Sequence, residues 1–136
     1  MKIKISPEQT IEQVQVAFHE AYPYLKLVFF TKPHKAFKGS PAKFMIQDRS
    51  QRLSTLEKQP GAGFLFLEPE MPVWQVERLF EEEFGLHVQV FRRSGNIWLE
   101  TSVSDNLTLE EQQSKARSSD HIHQEFVDPM DYREQD

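Results

Sequence analysis

Two spacings of apolar residues alternate along this chain, and the series of spacings occurs twice. Ile3 and Ile5 alternate with Lys2 and Lys4, the period of a half-buried strand. Ile11, Val14, Phe18 and Ala21 then recur on one stripe at helical spacing. Ser6, Pro7 and Gln9 precede that stripe as a helix start, with serine as N-cap, proline at the first helical position and glutamine closing a capping box. Pro23 ends the helix. Leu25–Thr31 follows as a β-rich run that is apolar on nearly every position.

Residues 32–48 read as a loop, with Pro33, Gly39 and Pro41 set among lysines, and Leu53 and Leu56 suggest a short helix. The series then restarts. Gly61 and Gly63 introduce a strand over Phe64–Glu68, and Val73, Val76, Phe80 and Phe84 form a second helical stripe. Gly85 is placed as its left-handed cap with Leu86 as the apolar residue after it. Leu86–Arg93 alternates cleanly, Ser94-Gly95-Asn96 signals a tight turn, and Ile97–Val103 returns as a fifth strand.

The recurrence is also literal. Residues 7–23 and 69–85 share six identical positions of seventeen at an offset of 62, among them Pro7/Pro69, Val14/Val76 and Phe18/Phe80. Two β-α-β repeats in tandem predict an α+β fold, a ferredoxin-like split βαβ sandwich with both helices on one face and an extra C-terminal hairpin strand. The domain is expected over residues 1–103. Residues 104–136 are expected to form an acidic, largely flexible tail, with a short helix at 108–117 boxed by Thr108 and Glu111. Phe126, Val127, Met130 and Tyr132 interrupt the polarity of that tail as a candidate docking segment.

The repeat assigns faces. Counting by twos, Ile3, Ile5, Leu25, Leu27, Phe29, Leu65, Leu67, Leu86, Val88 and Val90 point at the helices. The opposite face takes Lys2, Lys4, Lys26, Val28, Phe30, Phe64, Phe66, His87, Gln89, Phe91 and Arg93, and a two-residue turn adds Trp98 and Glu100. Five rings (Phe30, Phe64, Phe66, Phe91 and Trp98) thus lie on a face without helices, beside Lys26, His87, Gln89 and Arg93. A patch of several hundred Å² is at the limit of what monomers leave open, so this face is the candidate binding surface.

Charge and composition narrow its use. The chain has 136 residues, enough for one domain, and a net charge of −5 distributed unevenly. Residues 24–58 carry eight Lys/Arg against two acids, whereas residues 103–136 carry nine acids against three bases. Cysteine is absent, which excludes disulfides and thiolate metal sites and suits a cytoplasmic location. No apolar run is long enough for a membrane span or a signal-peptide core. His19, His34, His87, His121 and His123 are scattered, so neither a metal nor another cofactor is expected. His87 beside Glu100 is the one acid–base pair the face offers. No phosphate loop or nucleophile elbow occurs, and the expectation is a non-catalytic protein.

The expected function is therefore an interaction module. Its aromatic face binds a second copy as a homodimer, a protein partner or its own tail. The alternative is single-stranded nucleic acid stacked on the same rings, against which stand Lys2 and Lys4 where an RNA-recognition motif carries an aromatic. An enzyme is the third reading.

Phe84–Thr101 (FGLHVQVFRRSGNIWLET), Thr108–Gln112 (TLEEQ) and the Y-P-x-L-K-x-x-F-F run at Tyr22–Phe30 resemble a family of small uncharacterised bacterial proteins. The resemblance covers about two-thirds of the chain. It implies a bacterial origin and transfers no functional residue.

Overall fold

A computed structural model of the chain describes residues 1–32, 42–56 and 61–123. The elements run β1 (Lys2–Ile5), α1 (Ile11–Ala21), β2 (Leu25–Phe30), two 3-10 turns (Ala42–Phe44 and Leu53–Thr55), β3 (Gly63–Phe66), α2 (Val73–Phe84), β4 (His87–Ser94), β5 (Ile97–Glu100) and α3 (Leu109–His123). The fold is α+β with two antiparallel sheets, one ordered β1-β3 and the other β2-β4-β5. The single interleaved sheet expected of a ferredoxin-like order is thus divided into two ladders.

The division follows from how the repeats meet. Each strand of the first repeat pairs with its own counterpart in the second. In β1-β3, Ile3 faces Leu65, the residue 62 positions on, and Lys2↔Phe66 and Lys4↔Phe64 flank that pair symmetrically. In β2-β4, Val28 faces Gln89, 61 positions on, with Leu27↔Val90 on one side and Phe29↔Val88 on the other, so the offset shortens by one residue between helix and second strand. Both ladders therefore have the register of a two-fold rotation that exchanges the repeats.

Hydrogen bonds around the helix starts repeat as well. Ile11 and Glu12 donate their N–H groups to the carbonyls of Gln51 (2.9 Å) and Arg49 (3.0 Å). Val73 and Trp74 donate to Leu107 (2.9 Å) and Asp105 (2.9 Å) in the same way. In return Leu53 and Ser54 donate to the carbonyls of Gln9 (2.8 Å) and Pro7 (3.0 Å), while Leu109 and Glu110 donate to those of Met71 and Pro69 (3.0 Å each). Helix N-termini leave N–H groups without intrahelical partners, and here the chain downstream of each repeat's second strand supplies the acceptors. The repeat unit is therefore longer than the matching seventeen residues: it includes the turn at Leu53 in one copy and the start of α3 in the other.

This clamp relocates the first helix start. Pro7 and Gln9 form a turn rather than a first helical turn, because their carbonyls are occupied by Ser54 and Leu53. Thr10 is the N-cap instead, and it exchanges a capping box with Gln13 (3.2 and 2.9 Å). Gly85 does take the left-handed conformation at the end of α2, with φ 65° and the Leu86 N–H reaching back to Phe80 O at 3.1 Å.

The ten residues assigned to the helix face are all buried in one core, together with Ile11, Val14, Phe18, Val73, Val76 and Phe80. The region after 103 differs from expectation. Its helix runs Leu109–His123 rather than 108–117, is opened by the Thr108–Glu111 box (3.0 Å each way), and buries Leu109, Gln112 and Ala116. Arg92 of β4 is buried beneath it and donates to Gln112 Oε1 at 3.0 Å, and Tyr24 N–H donates to Gln113 Oε1 at 3.0 Å. The first half of the expected tail thus belongs to the packed domain, and residues 118–123 continue its helix. The docking segment proposed at Phe126–Tyr132 lies outside the described residues.

Because Leu109 closes the second clamp from inside the core, Leu109→Ala is expected to lower unfolding stability by about 2–5 kcal/mol. Urea denaturation checks this. A loss below about 0.5 kcal/mol, the range of surface substitutions, would show that α3 does not pack as described.

Candidate binding surfaces

The two ladders give their outer faces different fates. On β2-β4-β5, a loop returns across the sheet. Met45 bridges to Phe30, Thr31 N–H donates to Phe44 O (2.9 Å), and Ile46 N–H donates to Phe29 O (2.9 Å). Phe44, Met45 and Trp98 then pack on Val28, Phe30 and Phe91 as a second, smaller apolar cluster. Phe30 is 2% exposed and Phe91 9%. On β1-β3 no such cover exists among the described residues: Phe64 is 48% exposed and Phe66 61%, beside exposed Lys2 and Lys4.

The five-ring surface therefore does not exist as one face. Of the nominated residues, Phe64, Phe66 and Arg93 are exposed, Lys26, His87 and Trp98 are half-buried, and Phe30, Gln89 and Phe91 are buried. The hairpin register is as expected, with a two-residue Gly95–Asn96 turn, Gly95 at φ 59°, and Arg93↔Trp98 and Phe91↔Glu100 opposite each other. The pairing of His87 with Glu100 is overturned. His87 opens β4, Glu100 sits opposite Phe91 four residues on, and four strand residues span about 13 Å. His87 Nδ1 lies 3.5 Å from Glu81 Oε1 of α2 instead. Among the described residues no group of three or more His, Asp or Glu side chains is arranged to hold a metal, and no helix is long and apolar enough to cross a membrane.

Aromatic rings and cations meet on both outer faces. Lys2 Nζ sits 4.7 Å from the Phe64 centroid. Lys26 Nζ sits 4.8 Å from that of Trp98 and 5.9 Å from that of Phe91. Such contacts contribute about 0.5–1 kcal/mol at exposed sites and more when desolvated. Lys26 is the desolvated one. Burial pushes its pKa below the ordinary lysine value, and the neighbouring Arg49 charge pushes the same way.

Lys26 and Trp98 belong to a groove of about 450 Å³ that follows the outer edge of β2. Val16, His19 and Glu20 of α1, Val28 of β2 and Met45 and Arg49 from the 45–49 segment are among its lining. The edge itself is closed by side chains. Gln15 Nε2 donates to Leu27 O (2.9 Å), and His19 Nδ1 bonds Leu25 O (2.8 Å). A carbonyl oxygen only accepts, so this contact places a proton on His19 Nδ1. The sequence reading missed His19, Gln15 and Arg49 here, because the groove joins a helix flank to a loop and neither periodicity reports on that junction. The counterpart of Gln15 is Glu77, 62 residues on, which accepts the Val90 N–H at 2.9 Å. One repeat position thus caps backbone in both halves, as a donor in one and an acceptor in the other.

Comparison with known proteins finds no matching family, no matching curated protein and no matching solved structure.

Two outcomes follow. Phe91→Ala is expected to lower stability by about 3–5 kcal/mol and Phe66→Ala by less than about 1 kcal/mol, in thermal or urea unfolding. Equal losses would contradict the split between the covered and the open face. Arg49→Gln is expected to move the Lys26 titration midpoint upward, toward the ordinary lysine value, in a side-chain NMR titration. The sign follows from charge: removing a neighbouring cation favours the protonated lysine. An unmoved midpoint would remove Arg49 as a cause.

Proposed function

We propose that this protein is a non-catalytic interaction module that self-associates through the outer face of β1-β3. The observation that supports this reading is the contrast between the two ladders. The rings of one are covered by Phe44 and Met45, whereas Phe64 and Phe66 of the other are left open beside Lys2 and Lys4. A second copy can supply the missing cover. The patch is self-complementary: one strand presents two lysines and the other two phenyl rings, so a two-fold contact sets each copy's cations against its partner's rings.

The magnitudes fit a weak dimer. The exposed parts of the two rings amount to roughly 200 Å² per copy, since an aromatic side chain offers about 150–250 Å². Burying them in both copies at about 25 cal/mol per Å² yields about 10 kcal/mol, of the same order as the roughly 4–15 kcal/mol cost of association. The rings act as a central anchor, and neighbouring polar residues complete the rim. Single-stranded nucleic acid is the weaker reading, because a stacking platform here retains two open rings and the chain is acidic overall.

Sedimentation velocity over a concentration series tests the proposal. The wild-type chain is expected to shift from monomer to dimer with concentration. Phe64→Ser/Phe66→Ser is expected to weaken that transition by about tenfold or more, as for truncation of an interface anchor. A monomer at every concentration, or a dimer indifferent to both substitutions, would refute it.

A further inference from the structure

The groove along β2 is a second surface, separate from the β1-β3 face, and its chemistry is more selective. Its floor and walls are apolar: Val16 on α1, Val28 on β2, Met45 on the returning loop and Trp98 on β5. Two cations border the groove, Lys26 half-buried and Arg49 exposed. Lys26 is held half-buried over the Trp98 ring at 4.8 Å. Arg49 is fixed in place by its Nε bond to Gln15 Oε1 (2.5 Å). The His19 ring stands edge-on to Trp98 at a centroid distance of 6.0 Å, so three side chains that recognise planar or anionic groups converge on one cleft.

The kind of occupant is narrowed by what is already satisfied. An extended peptide added to the β2 edge needs the outward backbone groups of Leu25, Leu27 and Phe29. The carbonyls of all three are taken, by His19, Gln15 and Ile46. Strand addition is therefore disfavoured at this edge, and recognition falls to side chains. A volume of about 450 Å³ lies within the range of small-molecule pockets, about 300–1,000 Å³. Charge limits the ligand further. Glu20 lines the cleft, and Glu12 stands 3.9 Å from Arg49 Nη2, so these carboxylates offset part of the basic charge. A polyphosphate would meet Glu20 in the lining and compete with Glu12 for Arg49, whereas a single negative charge can pair with Lys26 alone. The half-buried Lys26 also gains most from such a partner, because an anion there compensates its lost hydration.

We infer that this groove binds a small aromatic monoanion, a carboxylate or sulfonate whose charge meets Lys26 and whose ring packs among Val16, Val28 and Trp98. No covalent step is involved, and the binding does not depend on the self-association proposed for the opposite ladder.

Trp98 reports on its own site. In a Trp74→Phe chain it is the sole tryptophan, and 1-anilinonaphthalene-8-sulfonate serves as the probe, an aromatic monosulfonate that quenches tryptophan emission by energy transfer. Saturable quenching with one site per chain is expected. Lys26→Gln is expected to weaken it by about tenfold, the typical loss of one charge-assisted contact, while Lys26→Arg stays within about threefold. Amide shifts at Val16 and Val28 in the unsubstituted protein locate the probe independently of the tryptophan replacement. Phe64→Ser/Phe66→Ser is expected to leave the probe affinity unchanged. Absence of saturable binding, equal affinity in Lys26→Gln, or affinity lost in Phe64→Ser/Phe66→Ser and kept in Lys26→Gln would each overturn the inference. The last result would assign the probe to the open β1-β3 face.

Discussion

The pairing of each strand with its own counterpart is the constraint from which the rest of the architecture follows. β1 lies against β3 and β2 against β4, both antiparallel, the first centred on residues that the repeat equates and the second displaced from that by one residue. An antiparallel ladder between identical strands maps onto itself under a two-fold rotation, so a duplicated unit can form two of them at once. Once they form, the positions of the helices are set. α1 packs against β1 and β2 and α2 against β4, and all the inward apolar residues meet in one core. The helix starts are then held by chain from beyond the second strand, through four hydrogen bonds in each half.

Symmetry of this kind leaves edges, and the molecule closes them in different ways. The outer edge of β2 is closed by Gln15, His19 and the 44–46 segment, and part of β4 by Glu77 and Thr101. Unpaired strand edges invite pairing with other chains, so these contacts also suppress non-specific association. The two repeats diverge most where they cover their outer faces. That divergence leaves one sheet face with open rings and turns the other into a groove wall.

The faces of the strands were legible in the sequence because side-chain alternation admits only two registers: the repeat ties β1 and β3 to one choice, and the apolar alternation of Leu25–Phe29 and of Leu86–Val90 sets the other two strands. All ten inward residues, the Gly85 cap and the Gly95–Asn96 turn were readable on that basis. The neighbour of each strand was not, since alternation says which way a side chain points and nothing about which strand lies alongside. The packing of α3 was hidden because two of the three buried positions among its described side chains are Gln112 and Ala116, which weaken the apolar stripe, and because its partner Arg92 reads as a surface residue. The candidate surface was half legible. Phe64 and Phe66 stand where the alternation puts them, but Phe44 and Met45 come from a lysine-rich stretch with no period, and nothing in it announces that it folds over Phe30 and Phe91.

The two-fold relation between the halves has a consequence for origin and for assembly. A polypeptide holding a single repeat would have nothing within itself to pair with, and would find both ladders and both clamps only in another molecule. It would be an obligate C2 homodimer. Fusing two such subunits converts a bimolecular encounter into an intramolecular one at high effective concentration, so that folding no longer depends on abundance. Fusion would also free the two halves to differ, which a homodimer cannot do. A lysine and a tryptophan beside one helix, and two bare phenyl rings on the other ladder, are the kind of asymmetry that such release permits.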